Sequence, residues 1–212
     1  MMDKDIPGFV VDFLKEAQNK YFVQIDSGYL KDVFNTTGLE HYVHGFEDAY
    51  RLLCGEKIAG SDEYLTFCNE GARELYGLLH SRYIMTEMGV FKAKEKYKTH
   101  EFGECPRFFC NKTGLLPCSL SDIPNETKLV MYCPSCKHMY SPPKVFSQID
   151  GAYFGKSFAH LFVMTNPDLV TKTNPQQIKY QPSLFGFKMY TGEISKLPSN
   201  FSPKKSFFTK IQ

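Results

Sequence analysis

The chain has no tryptophan and no long apolar run. Nothing in it approaches the roughly 18–20 consecutive apolar residues of a membrane helix. It also lacks a phosphate-binding glycine loop, a dinucleotide fingerprint, a nucleophile elbow and the kinase catalytic motifs. His41, His44, His80, His100, His138 and His160 are scattered without metal-ligand pairing, and they read as surface or satisfied core residues. No enzyme is expected from this inventory. Net charge is scarce too, at +2 over 212 residues, so bulk charge argues neither for nor against a nucleic-acid partner. The start, Met1-Met2-Asp3-Lys4-Asp5, lacks the basic and apolar regions of a secretory signal. The expectation is an intracellular protein, cytoplasmic and nuclear, in a compartment where structural disulfides are rare.

What is present is unevenly spread. Residues 1–104 carry 18 acidic and 12 basic side chains, whereas residues 105–212 carry 5 and 13. The mild total therefore hides an acidic half of −6 and a basic half of +8. Five of the seven cysteines fall between Cys105 and Cys136. These shifts predict an α+β chain in three parts. An all-α domain over 1–103 precedes a small β-rich zinc ribbon over 104–166. An extended tail over 167–212 completes it.

Apolar spacing predicts a helix over 7–19 and another over 39–53 ending at Gly55, where glycine suits a helix C-terminus. Tyr21 to Ile25 reads as strand or extended, and Tyr29 to Phe34 as a short helix. The clearest helix begins at Ser61, which can cap it. Asp62 and Glu63 suit the positive end of its dipole, and Leu65, Cys68, Ala72, Leu75, Leu79 and Tyr83 follow in steps of three or four. Gly89 is expected to interrupt it, with a solvated charged face beyond. After Gly103 helical periodicity stops. Leu129 to Tyr132 reads as a strand, Asp122 to Asn125 as a turn, and 153–164 as a helix.

The strongest chemical signal is Cys105-x₄-Cys110, then 22 residues, then Cys133-x₂-Cys136. Two closely spaced pairs joined by a β-rich loop form two knuckles that aim four thiolates at one Zn²⁺. Four protein ligands leave no open position for a substrate, so the expected zinc is structural, one per chain. Cys118 is not needed for it, and Cys54 and Cys68 lie on apolar helical faces. The aromatics near the knuckles (Phe108, Phe109, Tyr140, Tyr153 and Phe154) exceed what so small a unit buries internally. They suggest a protein interface.

Several blocks carry a resemblance: Gly103-Glu104-Cys105-Pro106-Arg107-Phe108-Phe109-Cys110, Leu120-Ser121-Asp122-Ile123-Pro124, Tyr132-Cys133-Pro134-Ser135-Cys136 and Asp150-Gly151-Ala152-Tyr153-Phe154-Gly155. With Leu75 to Ile84, they resemble the regulatory beta subunit of casein kinase II, from about Phe9 to Tyr190. The resemblance implies a non-catalytic protein that dimerises through its zinc ribbon and docks two catalytic alpha subunits. The resulting Ser/Thr kinase favours acidic protein substrates, and the regulatory dimer stabilises the catalytic subunits and tunes substrate choice. It places the zinc ligands at Cys105, Cys110, Cys133 and Cys136, and the dimer interface around Pro106, Phe108, Met139 and Tyr140. The docking segment falls over 183–190, with Leu184, Phe185, Phe187 and Met189 as contacts. Phe185 and Phe187 lie two apart, so in an extended strand they face the same way.

The chain departs from the family pattern in three places. The acidic loop associated with polyamines is diluted to Gly55-Glu56-Lys57-Ile58-Ala59-Gly60-Ser61-Asp62-Glu63. The N-terminal serine cluster is missing. Phe185 stands where relatives often have tyrosine. Ser202-Pro203-Lys204 fits a proline-directed phosphorylation pattern. The rival expectation is a nucleic-acid-binding zinc ribbon, motivated by the +8 half. Its affinity would fall linearly with salt on logarithmic axes. Protein docking is favoured because the basic residues are dispersed.

Overall fold

A computed structural model describes residues 6–169 and 182–189. The chain divides into two compact units, 1–175 and 176–212. In the first, α1 (Gly8–Lys15), α2 (Ser27–Lys31), α3 (Phe46–Leu53), α4 (Asp62–Tyr83) and α5 (Glu87–Lys98) precede a small sheet, and α6 (Phe158–Thr165) follows it. Among the described residues no helix is long and apolar enough to cross a membrane.

Helix α4 forms where its cap and periodicity place it. The Ser61 hydroxyl accepts the Tyr64 N–H, and Cys68, Ala72, Leu75, Leu79 and Tyr83 are buried. The break after it is not at Gly89. It lies at Met85 and Thr86, and the Thr86 hydroxyl caps α5 by accepting the Gly89 N–H at 3.1 Å. Gly89 sits inside the first turn of α5, where a Cβ would come within 2.0 Å of the Tyr83 carbonyl oxygen. Its smallness lets the two helices meet closely, so the glycine marks a contact and the threonine marks the boundary. Helix α3 is likewise shorter than its apolar pattern. It begins only at Phe46, after Gly45 takes a left-handed φ of 64°. Residues 39–45 form turns whose apolar side chains, Leu39 and Val43, still reach the core.

The run Tyr21 to Ile25 is buried yet joins no sheet. Part of its backbone is satisfied by side chains of α4. The Val23 N–H donates to His80 Nε2 at 3.1 Å, and the Ile25 N–H donates to Tyr76 Oη at 3.3 Å. The Tyr76 hydroxyl donates in turn to the Val23 carbonyl at 3.1 Å. Buried peptide groups need partners, and two polar side chains stand in for a neighbouring strand.

The sheet is antiparallel, ordered β1 (Leu116–Cys118), β2 (Val130–Tyr132), β3 (Met139–Tyr140). Leu116 pairs with Tyr132, and Tyr132 also pairs with Met139. The Asp122–Asn125 segment turns between β1 and β2, with Asn125 at φ 66°. The helix expected over 153–164 is split into a 3₁₀ turn at Gly151–Tyr153 and helix α6.

The change of composition at Glu104 is not a boundary in the packing. One hydrophobic core takes residues from both sides of it. Tyr21 stacks on Phe146 with ring centroids 3.8 Å apart, Phe22 packs on Phe154 at 5.2 Å, and Tyr97 meets Phe162 at 5.1 Å. His80, fully buried, is 2.7 Å from the Tyr153 carbonyl through Nδ1. A Cβ on Gly77 would come within 2.5 Å of the Tyr153 ring, so α4 admits that ring only because residue 77 is glycine. Two of the ribbon's aromatics, Tyr153 and Phe154, are therefore absorbed by the helices. Phe154 is buried and Tyr153 half-buried, while Phe108 remains 87% exposed.

In the second unit, β4 (Ser183–Leu184) and β5 (Phe187–Lys188) form a two-stranded hairpin. Phe185 and Phe187 do not share one side of a single extended strand, contrary to the expectation from their spacing. Phe185 and Gly186 are the turn, at φ 49° and 84°, and Leu184 pairs with Phe187. Gly186 accepts the left-handed conformation freely and so permits the reversal. Tyr190 and Ser202 lie outside the described residues.

Candidate metal centre and exposed hairpin

Each knuckle is shaped by the residues that follow its second cysteine. After Cys110, Asn111 and Lys112 adopt φ of 48° and 57°, and the Thr113 N–H donates to the Cys110 carbonyl at 3.0 Å. After Cys136, Lys137 adopts φ 58°, and its N–H donates to the Cys133 carbonyl at 2.8 Å. The Cys133 N–H returns to the His138 carbonyl at 3.0 Å. The chain reverses tightly at both places and aims both pairs of sulfurs inward.

The four sulfurs of Cys105, Cys110, Cys133 and Cys136 are buried and lie within 4.8 Å of one another. Cys105 Sγ and Cys136 Sγ are 3.8 Å apart. That is far beyond a disulfide bond of about 2.05 Å. It equals the edge of a tetrahedron with metal–sulfur bonds of about 2.3 Å, roughly 3.8 Å. The electrostatics agree. Burial, reinforced by the sulfurs of Cys105 and Cys136, pushes the Cys110 thiol up to about 11. Burial also raises the Cys133 thiol well above its ordinary value. Burial opposes ionisation of Cys136, but the Tyr140 hydroxyl and the backbone at His138 outweigh it and bring that thiol down to about 6. Four thiolates cannot share such a space unaided, whereas a divalent cation offsets their charge. Soft thiolate donors in this number fit Zn²⁺.

Cys118 stands apart from this set. It is buried on β1, where burial lifts its thiol to about 11. Of the residues assigned to a dimer face, Pro106, Phe108 and Met139 are exposed around the centre. Tyr140 is half-buried, and its hydroxyl sits 3.2 Å from Cys136 Sγ. Spacing alone gave no sign of that contact, because a tyrosine four residues past a cysteine is aimed only by the strand it sits on. The hairpin shows Phe185 92%, Phe187 79%, Leu184 59% and Met189 49% exposed.

A helical scaffold whose core runs into a small sheet, with four buried thiols able to hold one metal ion, defines a helix-braced metal-ribbon protein. Residues 8–188 match the family described as Casein kinase II regulatory subunit. The chain is 39% identical over 181 residues to casein kinase II subunit beta of Schizosaccharomyces pombe, covering 84% of this chain and 78% of that one. It is 36% identical over 193 residues to casein kinase II subunit beta' of Drosophila melanogaster, covering 90% and 87%. It is 39% identical over 184 residues to casein kinase II subunit beta' of Saccharomyces cerevisiae, covering 84% and 70%. The chain belongs to the casein kinase II regulatory subunit family.

Proposed function

We propose that this chain is a non-catalytic regulatory subunit that works as a zinc-dependent homodimer in the cytoplasm and nucleus. It docks two catalytic casein kinase II alpha subunits, stabilises them and biases their choice of protein substrates. The observation that carries the reading is the family match, which extends through residue 188 and so includes the hairpin. Zinc, held by Cys105, Cys110, Cys133 and Cys136, supplies a structural cross-link between the knuckles. The dimer forms across Pro106, Phe108, Met139 and Tyr140. The hairpin offers Phe185 and Phe187 as aromatic anchors, the residue type that dominates interface energetics when buried by a partner. Its turn holds Phe185 at the tip while Phe187 stands beside Leu184, so the hairpin presents its anchors on a preformed reversal.

A pull-down with a casein kinase II catalytic subunit tests this. The double variant Phe185→Ala/Phe187→Ala is expected to lose kinase binding while keeping zinc and the dimer. Unchanged kinase binding by that variant would overturn the docking role. A zinc-free monomeric wild type would overturn the assembly.

A further inference from the structure

We infer that the Tyr140 hydroxyl is a hydrogen-bond donor to the metal-bound thiolates and holds the two knuckles together around the metal. Tyr140 Oη lies 3.2 Å from Cys136 Sγ and 3.6 Å from Cys105 Sγ. These two sulfurs come from different knuckles and are 3.8 Å apart. The hydroxyl therefore lies against two sulfurs at once, one from each knuckle, and so spans the two halves of the site.

The direction of the bond follows from chemistry. A thiol can donate or accept, but a metal-bound thiolate carries no proton, so only the tyrosine can donate. Four thiolates and one Zn²⁺ leave a net charge of −2 in a buried place. A donor aimed at two of them spreads that charge, and hydrogen bonds to charged acceptors are among the stronger ones. Tyr140 is placed by β3, where it pairs with Met131 of β2, a fully buried residue. The strand that ends the sheet thus aims the group that secures the metal. Tyr140 is a positioning residue, since the metal's ligands are the four sulfurs. Partners of this kind, beyond the ligands themselves, typically change metal affinity by 10- to 100-fold.

The inference rests on the zinc reading of the four thiols, and the experiment separates the two. Wild type, Tyr140→Phe and Tyr140→Leu are purified with zinc, and transfer of the metal to a chromophoric chelator is timed. The phenylalanine variant keeps the ring and loses only the hydroxyl. It is expected to retain one zinc per chain yet release it roughly 10-fold faster than wild type. In the cobalt-substituted proteins its sulfur-to-cobalt absorption band is expected to shift, a signature that packing alone does not move. Equal release rates and identical bands for wild type and Tyr140→Phe overturn the inference, even if Tyr140→Leu loses metal, because the ring would then be the whole contribution. Should Tyr140→Phe purify unfolded, zinc titration decides. Refolding at excess zinc supports a lost contact at the metal, and no refolding at any zinc level overturns it as a packing defect. A wild type that binds no zinc would instead sink the reading of the four thiols.

Discussion

The segment Tyr21–Ile25 and strand β2 solve one problem in two ways. Both are short and apolar, both carry buried residues, and both must satisfy peptide groups away from water. Strand β2 does so with ladders to β1 and β3, in a sheet of three very short strands. Such a sheet is too small to stand alone, and the four thiols beside it are placed so that one metal ion could tie its ends together. The Tyr21–Ile25 segment instead borrows Tyr76 and His80 from α4. One region is organised by a metal-ready cluster, the other by two polar side chains on a helix. They share a core, so the difference shows how two devices can hold one fold.

The largest expected effect separates the devices. Structural zinc contributes about 10–16 kcal/mol in small zinc-finger peptides. Cys133→Ser, or chelation of the wild type, is expected to expose the amides of Leu116, Cys118 and Val130–Tyr132 to hydrogen exchange first, with those of α4 protected longer. Simultaneous loss of protection in both would show that the two regions unfold as one.

The second effect is pH dependence in the helical region. Burial lowers the His80 pKa from 6.5 to about 4, more than the bond at the Tyr153 carbonyl restores. The folded state resists a proton that the unfolded state accepts below about pH 6.5. Stability is therefore full above that pH and falls as pH drops towards 4, by roughly 3 kcal/mol in all. Urea unfolding across pH 4–7 measures it. His80→Gln is expected to flatten the slope, and a slope equal to wild type would assign it to other groups.

A smaller effect tests the borrowed strand. Tyr76→Phe removes one donor and one acceptor and leaves the Ile25 N–H and the Val23 carbonyl short of partners. A cost of roughly 1–3 kcal/mol is expected, read as a lower urea midpoint with zinc content unchanged. A concurrent loss of zinc would mean that the two regions are coupled more tightly than the core contacts require.

The smallest effect lies in the hairpin. Asparagine tolerates a left-handed turn better than phenylalanine. Phe185→Asn should leave global stability within about 0.5 kcal/mol, as for most exposed substitutions, while weakening kinase capture. A large drop in melting temperature would show that Phe185 is buried in the folded chain.

Much of this was legible in residue order. The cysteine spacing announced a four-thiol centre, and Ser61 with the steps from Leu65 to Tyr83 announced α4. Other features were not legible, for identifiable reasons. Gly89 looks like a helix breaker, and only the approach of the Tyr83 carbonyl explains why it is needed. Phe185 and Phe187 look like alternating strand residues, yet Gly186 permits a reversal between them. Tyr153 and Phe154 looked like surplus because their partners, Phe22, His80 and Gly77, lie far away in sequence.

By itself, then, the sequence determined the local chemistry: which cysteines can share a metal, where the long helix is capped, and which segments are apolar. These depend on residue type and short spacing. Only the tertiary structure decided that residues on both sides of Glu104 share one core, that Tyr76 and His80 supply partners for the Tyr21–Ile25 backbone, and that Tyr140 reaches the sulfurs. Those outcomes rest on contacts between residues distant in the chain, or on the direction a strand gives a side chain, and neither is encoded in spacing alone.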